Sequence, residues 1–190
     1  MSIAFGNRYL TADEMKGNAA YIWQYMRGAG WSMEAVAAML GNMESESTIN
    51  PAIYESLDSS SSENGYGLVQ WTPNTKFKEW ADENGFTYED IDGQLERIIY
   101  ELENGLQWIS TATYNMSFAE FSTSTHAVEI LAMTFLYNYE RPASLDQPHR
   151  GTQARAWYEY LQTITPARKG GMSKLLLYAG GLKRGRGYVV

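Results

Sequence analysis

Over most of its length the chain repeats apolar residues at three- and four-residue spacing, the period of helices that bury one face. The first such stretch is opened by Thr11-x-x-Glu14. That spacing lets the threonine hydroxyl cap the first turn while the glutamate reaches back to the cap residue. Ala19, Ile22, Trp23 and Met26 supply its stripe, and Gly28 and Gly30 end it. Trp31-Ser32 opens a second helix carrying Val36, Met39, Leu40 and Met43. Few charges interrupt it, so it is predicted to be the buried central helix. Pro51 disfavours a helical Asn50 and closes the segment. Further helices are predicted over 75–84, 89–104, 125–139 and 152–163, with a short one started by Ser117-x-x-Glu120. Between 52 and 74 the period is lost. Asp58 to Gly65 is a polar, turn-forming run, and Tyr66-Gly67-Leu68-Val69-Gln70-Trp71 reads as a short strand. The predicted fold class is therefore α+β, predominantly α, with a small β-hairpin lobe beside a helical lobe. No internal repeat is present.

Length and charge divide the chain once. Its 190 residues suffice for one core of ordinary domain size. All 22 acidic residues lie at or before Glu159, whereas 6 of the 15 Lys and Arg follow Pro166. Residues 1–165 are thus expected to form one acidic domain. Residues 166–190 are expected to form a basic, Gly-containing tail or linker around Leu175-Leu176-Leu177-Tyr178. An acidic body repels polyanions, which excludes nucleic acid as the main ligand and leaves a neutral or mixed-charge polymer. The absence of cysteine excludes disulfides, a thiolate zinc site and a catalytic thiol. No apolar run reaches the roughly 20 residues of a membrane span, and MSIAFGNRYL lacks a basic region followed by an apolar one. Neither a span nor a secretion signal is expected. The two histidines, His126 and His149, belong to no ligand cluster, so neither a metal nor another cofactor is expected.

Chemistry concentrates where the second helix ends, in Gly41-Asn42-Met43-Glu44-Ser45-Glu46-Ser47-Thr48-Ile49-Asn50. Two positions along a helix turn a side chain by about 200°, so Glu44 and Glu46 point to opposite faces. Glu46 continues the core positions 39 and 43, while Glu44 reads as a solvated surface charge. Two effects at position 46 favour the protonated acid: the dipole at a helix C-terminus and partial burial. A carboxylic acid that keeps its proton near neutral pH is what general acid catalysis at a glycosidic oxygen requires.

The residues that follow add a resemblance. Glu46-Ser47-Thr48-Ile49-Asn50-Pro51 resembles the E-S-x-x-N-P signature of the lysozyme-like superfamily, in which the catalytic glutamate ends a helix. Gly65-Tyr66-Gly67-Leu68-Val69-Gln70 resembles the G-x-G-L-x-Q hairpin strand of lytic transglycosylases and goose-type lysozymes. Tyr137-Asn138 resembles the centre of their A-Y-N-x-G segment, although Tyr139-Glu140-Arg141-Pro142 follows here and the family's alanine and glycine are missing. Taken together the run looks most like phage tail-tip lysozymes, over about residues 9 to 163. The resemblance implies a lysozyme-like fold. It also implies that Glu46 donates a proton to the oxygen between N-acetylmuramic acid and N-acetylglucosamine, with bacterial peptidoglycan glycan strands as partner. Gln70 is placed to hydrogen-bond substrate or backbone. Tyr66, Trp71, Tyr137 and Tyr139 offer flat faces and polar tips suited to sugar rings, or to ordinary core packing, and the resemblance adds Asn138 as a substrate contact.

Glycosidases commonly use a second carboxyl group, about 5 Å from the first for retention and about 6.5–9.5 Å for inversion. Alignment with the related lysozymes puts their aspartates at Gly65, Ser61 and Thr72, none of which is acidic. Glu63 is the nearest substitute and Asp58 the next, both in the polar run and both readable as solvated loop charges. Glu140 either faces the cleft or pairs with Arg141 or Arg97 as a structural group. With a second carboxylate the enzyme is a hydrolase; without one, a lytic transglycosylase giving 1,6-anhydro ends. A non-catalytic glycan-binding tail module is the reading from another class. The resemblance implies a virion tail tip, or release from the host cytoplasm at lysis. It also implies other phage tail proteins or a following peptidase domain as neighbours.

Overall fold

In the computed structural model, which describes residues 2–165, the predicted central helix is the hub. This helix, α2 (Met33–Ser47), is capped by Ser32, whose hydroxyl accepts from the Ala35 N–H at 3.1 Å. Every residue from Ala35 to Met43 is buried. A helix apolar on all sides can be stable only when neighbours enclose it, and here they are α1 (Ala12–Gly28), α5 (Phe118–Thr123), α6 (Val128–Phe135) and α7 (His149–Ile164). Helices α3 (Thr75–Asn84) and α4 (Ile91–Glu103) pack on each other, and α4 also meets α1. Both capping boxes form as predicted, Thr11 with Glu14 and Ser117 with Glu120.

Helices α2 and α7 approach each other closely, and a glycine permits it. A Cβ at Gly41 would lie 2.6 Å from the Ala154 nitrogen and 2.7 Å from the Arg150 carbonyl oxygen. Both are backbone atoms that cannot rotate away. Gly41→Ala is therefore expected to destabilise the fold by about 1–3 kcal/mol, read as a lowered urea midpoint at unchanged slope. A midpoint equal to the wild type's would refute this close approach.

The α7 helix begins at His149, one turn earlier than the predicted 152, with Pro148 as its cap residue. That extra turn carries Arg150. The predicted 125–139 helix is split into α6 and a π turn, Leu136–Glu140, closed by the Arg141 N–H donating to the Leu136 carbonyl at 2.8 Å. An aromatic cluster fixes that turn: Trp108 stacks on Phe118 at 4.8 Å, and Phe135 stacks on Tyr139 at 4.5 Å.

The predicted β-hairpin lobe does not form. Among the described residues there is no regular strand, only the isolated bridges Tyr54 to Tyr66 and Tyr66 to Trp71. The reason lies in a turn between Tyr66 and Trp71. Gly67 has φ +78° and Gln70 φ +49°, so the backbone curls where a strand would extend. The buried amide of Gln94 enforces the curl. It accepts from the Leu68 N–H at 2.8 Å and donates to the carbonyls of Pro51 and Tyr88. Leu68 and Val69 are apolar because the turn is tucked into the core. The segment is held instead by aromatic packing: Trp71 stacks on Phe77 at 4.9 Å, and Tyr66 packs on Tyr54 at 4.7 Å. The 166–190 tail lies outside the described residues.

Candidate functional site

Glu46 is held at the end of α2 by the residues that follow it. Thr48 and Ile49 both adopt left-handed backbone, φ +53° and +55°, an unusual conformation for β-branched residues that survives only when surroundings over-determine it. Four polar side chains do so. The Ser47 hydroxyl lies 2.9 Å from the carbonyl oxygens of both Met43 and Leu68, tying the helix end to the turn. Asn50 donates to the Gly6 and Arg8 carbonyls, and the Thr48 hydroxyl accepts from the Leu10 N–H. Asn18 donates to the Ile49 carbonyl. The stretch Ser47 to Asn50 thus sets the direction in which Glu46 points.

That direction is into a cavity of about 570 Å³, a volume within the range of small-molecule sites. Glu46 lines it together with the Tyr54–Ser56 stretch, the Val69–Thr72 turn, and Tyr139, Glu140 and Arg141 after α6. The Glu46 side chain keeps 19% of its surface exposed, and its Oε1 lies 2.6 Å from an Arg150 guanidinium nitrogen. Arg150 is itself only 5% exposed. It donates further to Gln147 and to the Asn42 side-chain oxygen, whose amide nitrogen is bonded to Ala38 and Ala132. The buried guanidinium is thereby fixed at the base of the site. Glu44 is half-buried rather than a solvated charge: its Oε2 accepts from the Trp157 indole N–H at 2.7 Å. Both glutamates of the motif therefore dock onto α7.

Two further glutamates have contrasting surroundings. Glu101 on α4 is 1% exposed and saturated, accepting from the Trp71 indole, the Tyr139 hydroxyl and Arg97. Burial still raises its pKa, against the opposing pull of these partners. Glu140 lines the cavity, but its Oε1 is sealed from solvent and has no hydrogen-bond partner. Desolvation, then the charge of Glu46, push the Glu140 carboxyl well above the usual range, with Arg150 pulling the other way. Glu46 is partly buried at the end of α2, as expected, but it carries a bonded counter-charge, which Glu140 lacks.

The other predicted site residues divide by where the fold puts them. Gln70, Trp71 and Tyr139 line the cavity. Gln70 spends its amide nitrogen on the backbone, donating to the Ile53 and Gly67 carbonyls. Trp71 and Tyr139 spend their polar tips on Glu101, so they present carbon surface only. Tyr66 is buried against Tyr54 and Phe77, and burial raises its hydroxyl pKa. Tyr137 packs on Tyr114 at 4.8 Å. Asn138 is buried and pins the 111–114 loop, accepting from Thr111 and donating to the Tyr114 carbonyl. None of these three lines the cavity. Neither do the two acidic substitutes. Glu63 is exposed, and Asp58 is exposed with its carboxylate capping the Ser60 N–H, which lowers its pKa. The cavity-lining carboxylate from the 52–74 segment is Glu55, whose Oε2 accepts from the Gly65 N–H at 3.0 Å. Tyr9, exposed over 63% of its surface, also lines the cavity.

Glu55 and Arg150 went unseen in the sequence for different reasons. Glu55 stands in a short 3-10 turn, Glu55–Leu57, that carries no periodic signal. Arg150 is 104 residues from its partner. Morphogenesis protein 1 of Bacillus phage B103 is 50% identical over 155 residues, which are 82% of this chain and 42% of that protein. The chain thus spans less than half the length of that relative. The phage tail lysozyme family matches over residues 17–161, from the middle of α1 to the end of α7, and the chain belongs to that family.

Proposed function

We propose that the domain is a phage muramidase that cuts the β-1,4 bond between N-acetylmuramic acid and N-acetylglucosamine in peptidoglycan, for local wall degradation during infection. The observation that carries the reading is the shared cavity. Glu46, in the family's motif, opens onto the same space as the carboxylate of Glu55 and the carbon surfaces of Trp71 and Tyr139. Glu46 is the proton donor to the leaving-group oxygen. Its Oε1 is anchored by Arg150, and its Oε2 has no partner among the described residues, so one oxygen orients and the other reacts. Glu55 supplies the second carboxyl and orients a water molecule, held in place by the Gly65 amide. Exposed Tyr9 offers a face on which a sugar ring stacks at the cavity mouth. The presence of Glu55 favours hydrolysis over transglycosylation, which needs no water-orienting group.

A virion-associated place, at the tail tip, fits the family and a relative named for morphogenesis. Other tail proteins, and a peptidase domain following in the chain, are the proposed neighbours.

The test is mass spectrometry of purified sacculi digested with the protein. New reducing ends are expected. Ends of 1,6-anhydro type would replace hydrolysis by transglycosylation, and binding to sacculi without new ends would make the domain a glycan-binding module.

A further inference from the structure

We propose that Glu140 is the proton store through which Glu46 works, the two carboxyls of one cavity sharing a single proton that rests on Glu140 until Glu46 delivers it. The proposal rests on the muramidase reading. It starts from the contrast between two glutamates. Glu101 is a structural acid with three donors around it, whereas Glu140 lines the cavity with a sealed, unpartnered Oε1. Among the described residues no other buried side-chain nitrogen or oxygen is left in this state. Natural folds rarely tolerate such a group unless it has a use.

The surrounding charges explain why Glu140 stays neutral. Glu46 from α2 and Glu101 from α4 repel a charge there, while Arg150 from α7 and the adjacent Arg141 attract one. Yet each cation near this group is committed elsewhere. Arg150 is bonded to Glu46, Asn42 and Gln147. Arg141 donates to the Gln107 and Asn138 carbonyls, and Arg97 to Glu101. Tyr139, the preceding residue, gives its hydroxyl hydrogen to Glu101. With no donor of its own and like charges on two sides, Glu140 keeps its proton at pH values where an ordinary carboxyl has lost it. The π turn adds the placement. It ends at Glu140, where Arg141 takes left-handed backbone at φ +49° and turns the chain away. Turns of this kind recur at functional sites because they move side chains off the helical register.

The proton count closes. Glu140 passes its hydrogen by way of water in the shared cavity to Glu46, which gives it to the glycosidic oxygen as the carbon–oxygen bond breaks and the electron pair leaves with that oxygen. Water adds to the sugar carbon, and its released proton returns to the pair. Glu140 acts through Glu46 and is a positioning residue in this sense.

The test compares wild type, Glu140→Gln and Glu140→Asp in pH–rate profiles of peptidoglycan clearing, with thermal melts alongside. The folded state holds a proton on Glu140 that the unfolded chain releases above the ordinary carboxyl range, so stability falls as pH rises past that range. The neutral amide escapes this. Glu140→Gln is expected to melt above wild type at pH 7.5 and close to it at pH 4. Its clearing rate should fall at least tenfold with its basic limb displaced to lower pH, while sacculus binding is kept. Glu140→Asp should recover part of the rate with its own displaced limb. If Glu140→Gln clears at the wild-type rate with an unmoved basic limb, the proposal is overturned and the muramidase reading stands. A wild type that clears nothing overturns both.

Discussion

Glu46→Gln is expected to slow peptidoglycan clearing by about 10²–10⁴-fold, the range that a positioned general acid contributes. The substitution is chosen to remove the proton and little else. Glutamine has the same shape and offers an oxygen to the Arg150 guanidinium, which lies 2.6 Å from Glu46 in the wild type. The left-handed turn at Thr48 and Ile49, which aims position 46, depends on Ser47, Asn50, Thr48 and Asn18 and not on the glutamate. The electrostatic balance also adjusts. Glu46 is the largest charge opposing ionisation of Glu140, so its removal lowers the Glu140 pKa, while desolvation, the larger cause, still raises it. The variant should therefore fold and bind sacculi, with the loss confined to turnover. If it clears sacculi at more than a tenth of the wild-type rate, Glu46 is not the acid.

The helical frame was legible because helices are local. Both capping boxes involve residues three apart, and the enclosure of α2 follows from its lack of charge between Ala35 and Met43. Two local signals misled. The run Leu68-Val69 has the composition of a strand, but Gln94, 26 residues away, bonds the Leu68 N–H and holds a turn. The start of α7 lies one turn before the predicted 152, with Pro148 as the cap residue, because the apolar period alone does not mark that first turn. That turn carries Arg150.

The site was half legible. Position 46 was marked by the residues after it, whose roles are mechanical: Ser47 ties α2 to the turn, and Asn50 stitches the N-terminal segment to both. The electrostatic surroundings were not legible. Helix dipole and burial are local arguments, and they do not show that Glu46 bonds an arginine while the Oε1 of Glu140 has no partner. Which arginine meets which glutamate is decided by the packing of α2 on α7, through Gly41 against Arg150 and Ala154. Tyr137 and Asn138, readable as sugar contacts or as packing, pack against and pin the 111–114 loop.

That same packing makes Arg150 the side chain whose loss should cost the fold most. Arg150→Met removes a guanidinium that is 5% exposed and leaves Glu46, the Asn42 oxygen and Gln147 without their donor. Breaking a buried pair by deleting one partner costs about 3–5 kcal/mol, because the remaining charge is desolvated and uncompensated. Here the partly exposed Glu46, 19% open to solvent, places the expectation at the lower end, about 3 kcal/mol. Removing both partners tests whether the loss comes from the orphaned charge or from packing. In Arg150→Met with Glu46→Gln no carboxylate is stranded, so the double variant should be more stable than Arg150→Met alone. The urea midpoints of the four proteins then give a coupling free energy of the order of 1–3 kcal/mol. If the two substitutions are additive, the ion pair is not what secures α7 to the end of α2, and the Gly41 contact and the apolar face of α7 must do so instead.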